Sequence, residues 1–130
     1  MTVGSVKGDT ETVKCCDMQS ARINDVTLHY RWTPAAADKP ALVFINSLGT
    51  DFRIWNDVSA GLREQVSILA YDKRGHGLSD LGEMPYTIDQ HVGDLAGLMG
   101  HLGLGPSLVC GLSVGGQVAL GLASRRPDLV

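Results

Sequence analysis

The sequence predicts an α/β fold: a mostly parallel β-sheet with helices on both faces and an antiparallel hairpin at its N-terminal edge. Three observations carry this. Residues 41–45 form an unbroken apolar run of strand length, and a strand apolar on both sides belongs inside a parallel sheet covered by helices. From residue 40 onward, strand-like stretches alternate with stretches of three- and four-residue apolar periodicity, the pattern of βαβ units with right-handed crossovers. Before them, residues 21–23 and 26–32 alternate in polarity on either side of Asn24-Asp25, a pair suited to a tight hairpin turn.

In chain order, the two hairpin strands come first, with His29 on the polar phase and therefore expected to face solvent. Residues 33–39 form a Pro- and Ala-containing loop before the apolar strand. That strand runs into Asn46-Ser47-Leu48-Gly49-Thr50-Asp51, a turn-rich loop at its C-terminal end, where open α/β sheets bind ligands. Asp51 is placed to cap a helix with apolar positions Ile54, Trp55, Val58 and Leu62. Residues 66–71 are the next strand, followed by Asp72-Lys73-Arg74-Gly75-His76-Gly77-Leu78-Ser79-Asp80. Thr87-Ile88-Asp89-Gln90 has the form of a capping box. The helix it opens carries Ile88, Val92, Leu95, Met99 and Leu102 on one face, and Gly103 is placed to end it. Pro106 precedes the last strand, and a final helix is expected over residues 114–125, stopped by Pro127.

The last strand, turn and helix hold the chemistry. Gly111-Leu112-Ser113-Val114-Gly115 is Gly-x-Ser-x-Gly between an apolar run and a helix. A serine on such a turn is held in a strained backbone conformation with its hydroxyl beyond the sheet, and flanking glycines keep the turn free of side chains. The N–H of Val114, at the helix start, is placed to receive an oxyanion formed when Ser113 attacks a carbonyl. Gly111 and Gly116 also match the glycines of a phosphate-binding loop, but Gln117 and Val118 stand where that loop needs Lys and Ser or Thr.

Composition narrows the class further. At 130 residues, 44% hydrophobic and net charge −3, the chain has the make-up of one soluble globular domain. No basic tract exceeds Arg125-Arg126, so neither nucleic acid nor an anionic membrane is an expected partner. Residues 1–17 are polar and without period, and read as a disordered extension lacking a secretion signal's apolar core. Met18 is an alternative natural start. The cysteines Cys15, Cys16 and Cys110 have no C-x-x-C spacing, which fits a reducing, cytoplasmic setting. Cys110 reads as a small buried hydrophobe. The histidines His29, His76, His91 and His101 show no metal-site spacing, so no metal and no cofactor are expected.

With the serine turn and the segment Asp72, Arg74, Gly75, Gly77, Ser79 together, residues 18–130 resemble the α/β-hydrolase superfamily. Within it, Phe44-Ile45-Asn46-Ser47-Leu48-Gly49-Thr50-Asp51 points to the 3-oxoadipate enol-lactonases, because most relatives have His-Gly at Asn46-Ser47. The resemblance implies hydrolysis of an enol-lactone in the β-ketoadipate route of aromatic breakdown. It implies Ser113 as nucleophile and the N–H groups of Leu48 and Val114 as oxyanion hole. It also implies a cation for the substrate carboxylate, with Arg53 and Arg74 as candidates, although each is more readily read as a structural or solvated arginine.

In the superfamily the triad acid and histidine follow the serine. Residues 114–130 hold one acid, Asp128, and no histidine, so the general base is missing. His76 is the only histidine expected near the C-terminal edge of the sheet, and is more readily a residue packing the glycine-rich turn than a substitute base. The strand before Ser113 would also be a bare apolar sheet edge, open to aggregation or pairing. Residues 18–130 therefore read as the N-terminal half of a hydrolase domain, with the remainder omitted or supplied by a second chain, and as inactive alone. A generic carboxylesterase and a non-catalytic fragment are the alternative readings.

Overall fold

A computed structural model describes residues 18–130; the expectation of disorder for residues 1–17 lies outside the described residues. Among the described residues eight helices and strands make the fold: β1 (Gln19–Ile23), β2 (Val26–Thr33), β3 (Ala41–Ile45), α1 (Asn56–Leu62), β4 (Ser67–Tyr71), α2 (Ile88–His101), β5 (Leu108–Gly111) and α3 (Val114–Arg125), with short 3-10 turns at Phe52–Trp55 and Pro127–Leu129. The strands form one mixed sheet in the order β1-β2-β4-β3-β5. The hairpin β1–β2 and the pair β2–β4 are antiparallel, whereas β3 runs parallel to both β4 and β5. The apolar run 41–45 is thus the middle of the parallel part, as its composition requires.

Alternation along the strands sorts the core into two layers. Val43, Ile45, Leu69 and Tyr71 pack with Val92, Leu95, Leu98 and Met99 of α2 and Val118 and Leu122 of α3. The intervening residues Phe44, Ile68 and Ala70 are also buried, and Phe44 stacks on Trp55 with ring centroids 4.4 Å apart. Side chains between the sheet and α2–α3 contribute roughly 1.5–3 kcal/mol each on full burial.

Two local expectations are corrected. The periodicity placed Ile54 and Val58 on a buried face, but both are exposed, at 42% and 47%. The segment begins as a 3-10 turn capped by Asp51, which accepts from the Arg53 N–H, so the buried anchor becomes Phe52. Cys110 was expected to be buried and is exposed. It shares a face of β5 with Leu108, which is 55% exposed, while Val109 on the other face packs toward the core. Since β5 ends the sheet, Leu108, Cys110 and Leu112 have no neighbouring strand or helix to cover them among the described residues.

The capping box forms as the sequence predicts: Thr87 Oγ1 accepts from the Gln90 N–H at 3.1 Å and Gln90 Oε1 accepts from the Thr87 N–H at 3.0 Å. Gly103 follows α2 with φ +67°, the left-handed conformation that ends helices. Thr87→Ala is expected to lower stability by about 1 kcal/mol, the usual worth of an N-cap, read as a shift in the thermal midpoint. No shift would mean the cap is redundant with the packing of α2.

Candidate functional site

Ser113 sits between β5 and α3 with φ +56° and ψ −119°. A non-glycine residue in that region costs of order 1–3 kcal/mol and persists only where its surroundings enforce it. Here they do. The Leu112 N–H donates to Ile45 O at 3.0 Å, and Gly115 N and Gly116 N donate to Leu112 O and Ser113 O at 2.9 and 2.8 Å. A Cβ on Gly111 would run into the backbone of Gly115, and one on Gly115 into Ile45 O. The two glycines are needed because the turn closes on itself and on the end of β3. Ser113 is exposed, and the Val114 N–H is one of the unpaired donors of a helix start.

The loop after β3 lies alongside. Ile45 is in register with Gly111, so the loop carrying Leu48 and the turn carrying Ser113 leave neighbouring parallel strands at the same end. The loop is tied internally: Asn46 Nδ2 donates to Thr50 O at 2.9 Å, and Thr50 Oγ1 donates to Ser47 O at 2.9 Å. Gly49 takes φ +75°, and Leu48 is 74% exposed beside it. A cavity of about 370 Å³ opens here, lined by Leu48, Thr50, Asp51, His76 and Tyr86.

The segment from Asp72 to Asp80 is the scaffold beneath both. The buried Asp72 carboxylate accepts from the Phe52 N–H at 2.9 Å, the Leu78 N–H at 3.0 Å and His29 Nδ1 at 2.9 Å. A Cβ on Gly77 would strike that carboxylate, which explains the glycine five residues after the acid. Ser79 Oγ donates to Asp72 O at 2.7 Å and accepts from the His29 N–H at 2.8 Å.

Of the two arginine candidates, Arg74 takes a structural place in an ion-paired cluster. Its side chain is 3% exposed, and it donates through Nε and a terminal nitrogen to Asp94 at 2.7 and 2.9 Å and to Asp25 at 2.9 Å. Those carboxylates raise its pKa further and match its charge. Arg53 stays at the surface, 72% exposed, in a bidentate pair with Asp51 at 2.9 and 2.8 Å. That guanidinium lowers the Asp51 pKa to about 2. Arg53 lines a different cavity, about 330 Å³, with Met18, His29, Phe52 and Leu78.

The histidines also find places. His29 is not solvent-facing as its polar phase suggested: its side chain is 12% exposed, bound to Asp72 and packed on the Phe52 ring at 5.1 Å. The segments 52–55 and 72–80 cross over β2 and cover it, a tertiary effect invisible to strand alternation. His76 is buried, with Nδ1 3.1 Å from Arg74 O, the turn-packing role expected for it. His91 lies within α2, where burial pushes its pKa down to about 4.

One residue of the site escaped the sequence reading. Lys73 is 1% exposed, and its Nζ donates to Asn46 O at 2.7 Å and Ser47 O at 3.2 Å, bridging the scaffold to the Leu48 loop. Lysine is a surface residue by default, and its only signal was its place inside Asp-x-Arg-Gly.

Comparison with known proteins agrees with this geometry. Residues 40–130 match the family model described as alpha/beta hydrolase fold. The chain is similar to 3-oxoadipate enol-lactonase 2 of Acinetobacter baylyi, 40% identical over 104 residues, covering 80% of this chain and 39% of the relative. It is 43% identical over 84 residues to 3-oxoadipate enol-lactonase 1 of the same organism, covering 64% of this chain and 31% of the relative. The crystal structure of the enol-lactonase from Burkholderia xenovorans LB400 superposes with a TM-score of 0.83 at 41% identity, over 86% of this chain and 44% of that one. The chain thus spans less than half the length of these relatives. No helix among the described residues is long and apolar enough to cross a membrane. With the family model covering residues 40–130 and the strand–Ser113–helix turn seated on a mixed sheet, this chain belongs to the alpha/beta hydrolase family.

Proposed function

We propose that this chain carries the nucleophile and oxyanion half of a serine hydrolase acting on 3-oxoadipate enol-lactone, in the breakdown of aromatic compounds by the β-ketoadipate route. The observation that carries the reading is Ser113 held at φ +56° on a turn seated against the end of β3, beside the Leu48 loop. The likeness to the enol-lactonases, at 40% and 43% identity, supports the substrate class.

In this reading Ser113 Oγ attacks the lactone carbonyl and loses its proton to a histidine base. The N–H groups of Leu48 and Val114 stabilise the tetrahedral oxyanion. The ring C–O bond breaks, the enol oxygen takes the proton and tautomerises to a ketone, and water then hydrolyses the acyl-serine. The reading requires a histidine base and an orienting acid beside Ser113 in addition to the groups described above. Arg53 is the candidate to meet the substrate carboxylate.

Two assays test this. Supplied with the acid and histidine half, the protein is expected to hydrolyse 3-oxoadipate enol-lactone with higher kcat/KM than a p-nitrophenyl ester of similar size. Equal or inverted preference would replace the lactonase by a generic carboxylesterase. The 130-residue chain by itself is expected to show no turnover; activity there would require a base within residues 1–130.

A further inference from the structure

We infer that Lys73 is a positioning residue that sets the orientation of the Leu48 peptide for oxyanion binding, a role that rests on the serine-hydrolase reading above. Its Nζ donates to two successive carbonyls of the loop after β3, Asn46 O at 2.7 Å and Ser47 O at 3.2 Å. The second carbonyl belongs to the same peptide unit as the Leu48 N–H. That unit is planar and trans, so its C=O and N–H point in opposite directions, and an anchor on the oxygen fixes the line of the hydrogen. The Leu48 N–H is therefore turned away from Lys73. Thr50 Oγ1 donates to the same Ser47 oxygen at 2.9 Å, so the carbonyl is held from two sides.

An ammonium does more here than a neutral donor. In a region of low dielectric it polarises the peptide it binds, and a polarised peptide has a stronger N–H. Burying a lysine is costly, and an apolar side chain would fill the same space without that cost. The structural alternative, a lysine kept for packing, does not account for both of its bonds falling on consecutive carbonyls of one loop.

The charge of Lys73 is itself sensitive to pH. Burial lowers its pKa to about 8, while the neighbouring Asp72 carboxylate works the other way. The other titratable and charged groups of this neighbourhood are Arg74 and His76 of the same segment and Asp94 and His91 of α2, with His91 neutral above pH about 4. The positive charge on the anchor is thus present below about pH 8 and lost above it.

The experiment compares Lys73→Met with the parent in the hydrolase complete with its acid and histidine, using an enol-lactone and a p-nitrophenyl ester. The expected result is a fall in kcat of roughly 10- to 100-fold with KM changed by less than about 3-fold, since the lost contact acts on the transition state. Affinity for a boronic acid, which mimics the tetrahedral adduct, should fall in parallel with kcat. The parent's kcat should decline above about pH 8, and that decline should vanish in Lys73→Met. An unchanged kcat, or a raised KM with kcat intact, would overturn the inference. If the Met variant does not fold, Lys73→Gln, which removes the charge and shortens the reach to the two carbonyls, takes its place, and an unchanged kcat there overturns the inference. A parent that neither turns over nor labels at Ser113 with a fluorophosphonate would reject the hydrolase reading, and this inference with it.

Discussion

Ser113→Ala in the hydrolase complete with its acid and histidine is expected to reduce lactone turnover by at least about 10⁴-fold, the scale seen when a triad nucleophile is removed. Alanine keeps the Cβ, so the strain of the backbone at φ +56° is unchanged and the turn is not relaxed by the substitution. The Oγ makes no hydrogen bond that holds the fold, because the turn is closed by backbone bonds among Ile45, Leu112, Ser113, Gly115 and Gly116. The thermal midpoint should therefore stay close to the parent's while the rate collapses. Turnover within about 100-fold of the parent would remove Ser113 from the mechanism, whatever the family.

The second large effect is on stability. Asp94→Ala is expected to cost about 3–5 kcal/mol, as for a buried ion pair broken on one side. Asp94 is 1% exposed and takes two of the three hydrogen bonds of Arg74 as well as one from Asn24 Nδ2 at 2.9 Å. Its removal strands a guanidinium that is 3% exposed, with only the surface carboxylate of Asp25 still in reach. The group joins three parts of the chain: the β1–β2 turn, the segment after β4, and α2. Asp25→Ala, by contrast, should change stability little, because its carboxylate is 59% exposed and solvent screens it. The urea midpoints of the two variants test the contrast. A loss below about 1 kcal/mol for Asp94→Ala would mean that water reaches Arg74 and the pair is not a structural anchor.

The most legible features were those encoded locally. Residues 41–45 could only be an interior strand, Thr87 and Gln90 only a helix start, and Gly111-Leu112-Ser113-Val114-Gly115 only a strand-to-helix turn, because each pattern satisfies its own backbone geometry within a few residues. The nucleophile candidate followed from that last segment without any knowledge of its neighbours. The same locality explains where the reading failed. His29 was placed in solvent by strand alternation, yet segments 52–55 and 72–80 cover it. Ile54 and Val58 kept helical spacing, yet the chain enters α1 through a 3-10 turn that buries Phe52 instead. Cys110 read as a core residue, yet β5 is the last strand of the sheet described here.

The charged residues divide in the same way. Asp72, Lys73 and Arg74 are adjacent in sequence, and nothing local to them tells which partner each one takes. Only the fold sends Asp72 to Phe52 and His29, Arg74 to Asp94, and Lys73 to the carbonyls before Leu48. The sequence by itself determined the fold class, the order of the elements and the serine turn, because these depend on periodicity and backbone conformation within short windows. The tertiary structure decided which cations are matched within the fold, which lie at its surface and which one steadies the Leu48 loop, because burial and ion pairing join residues tens of positions apart.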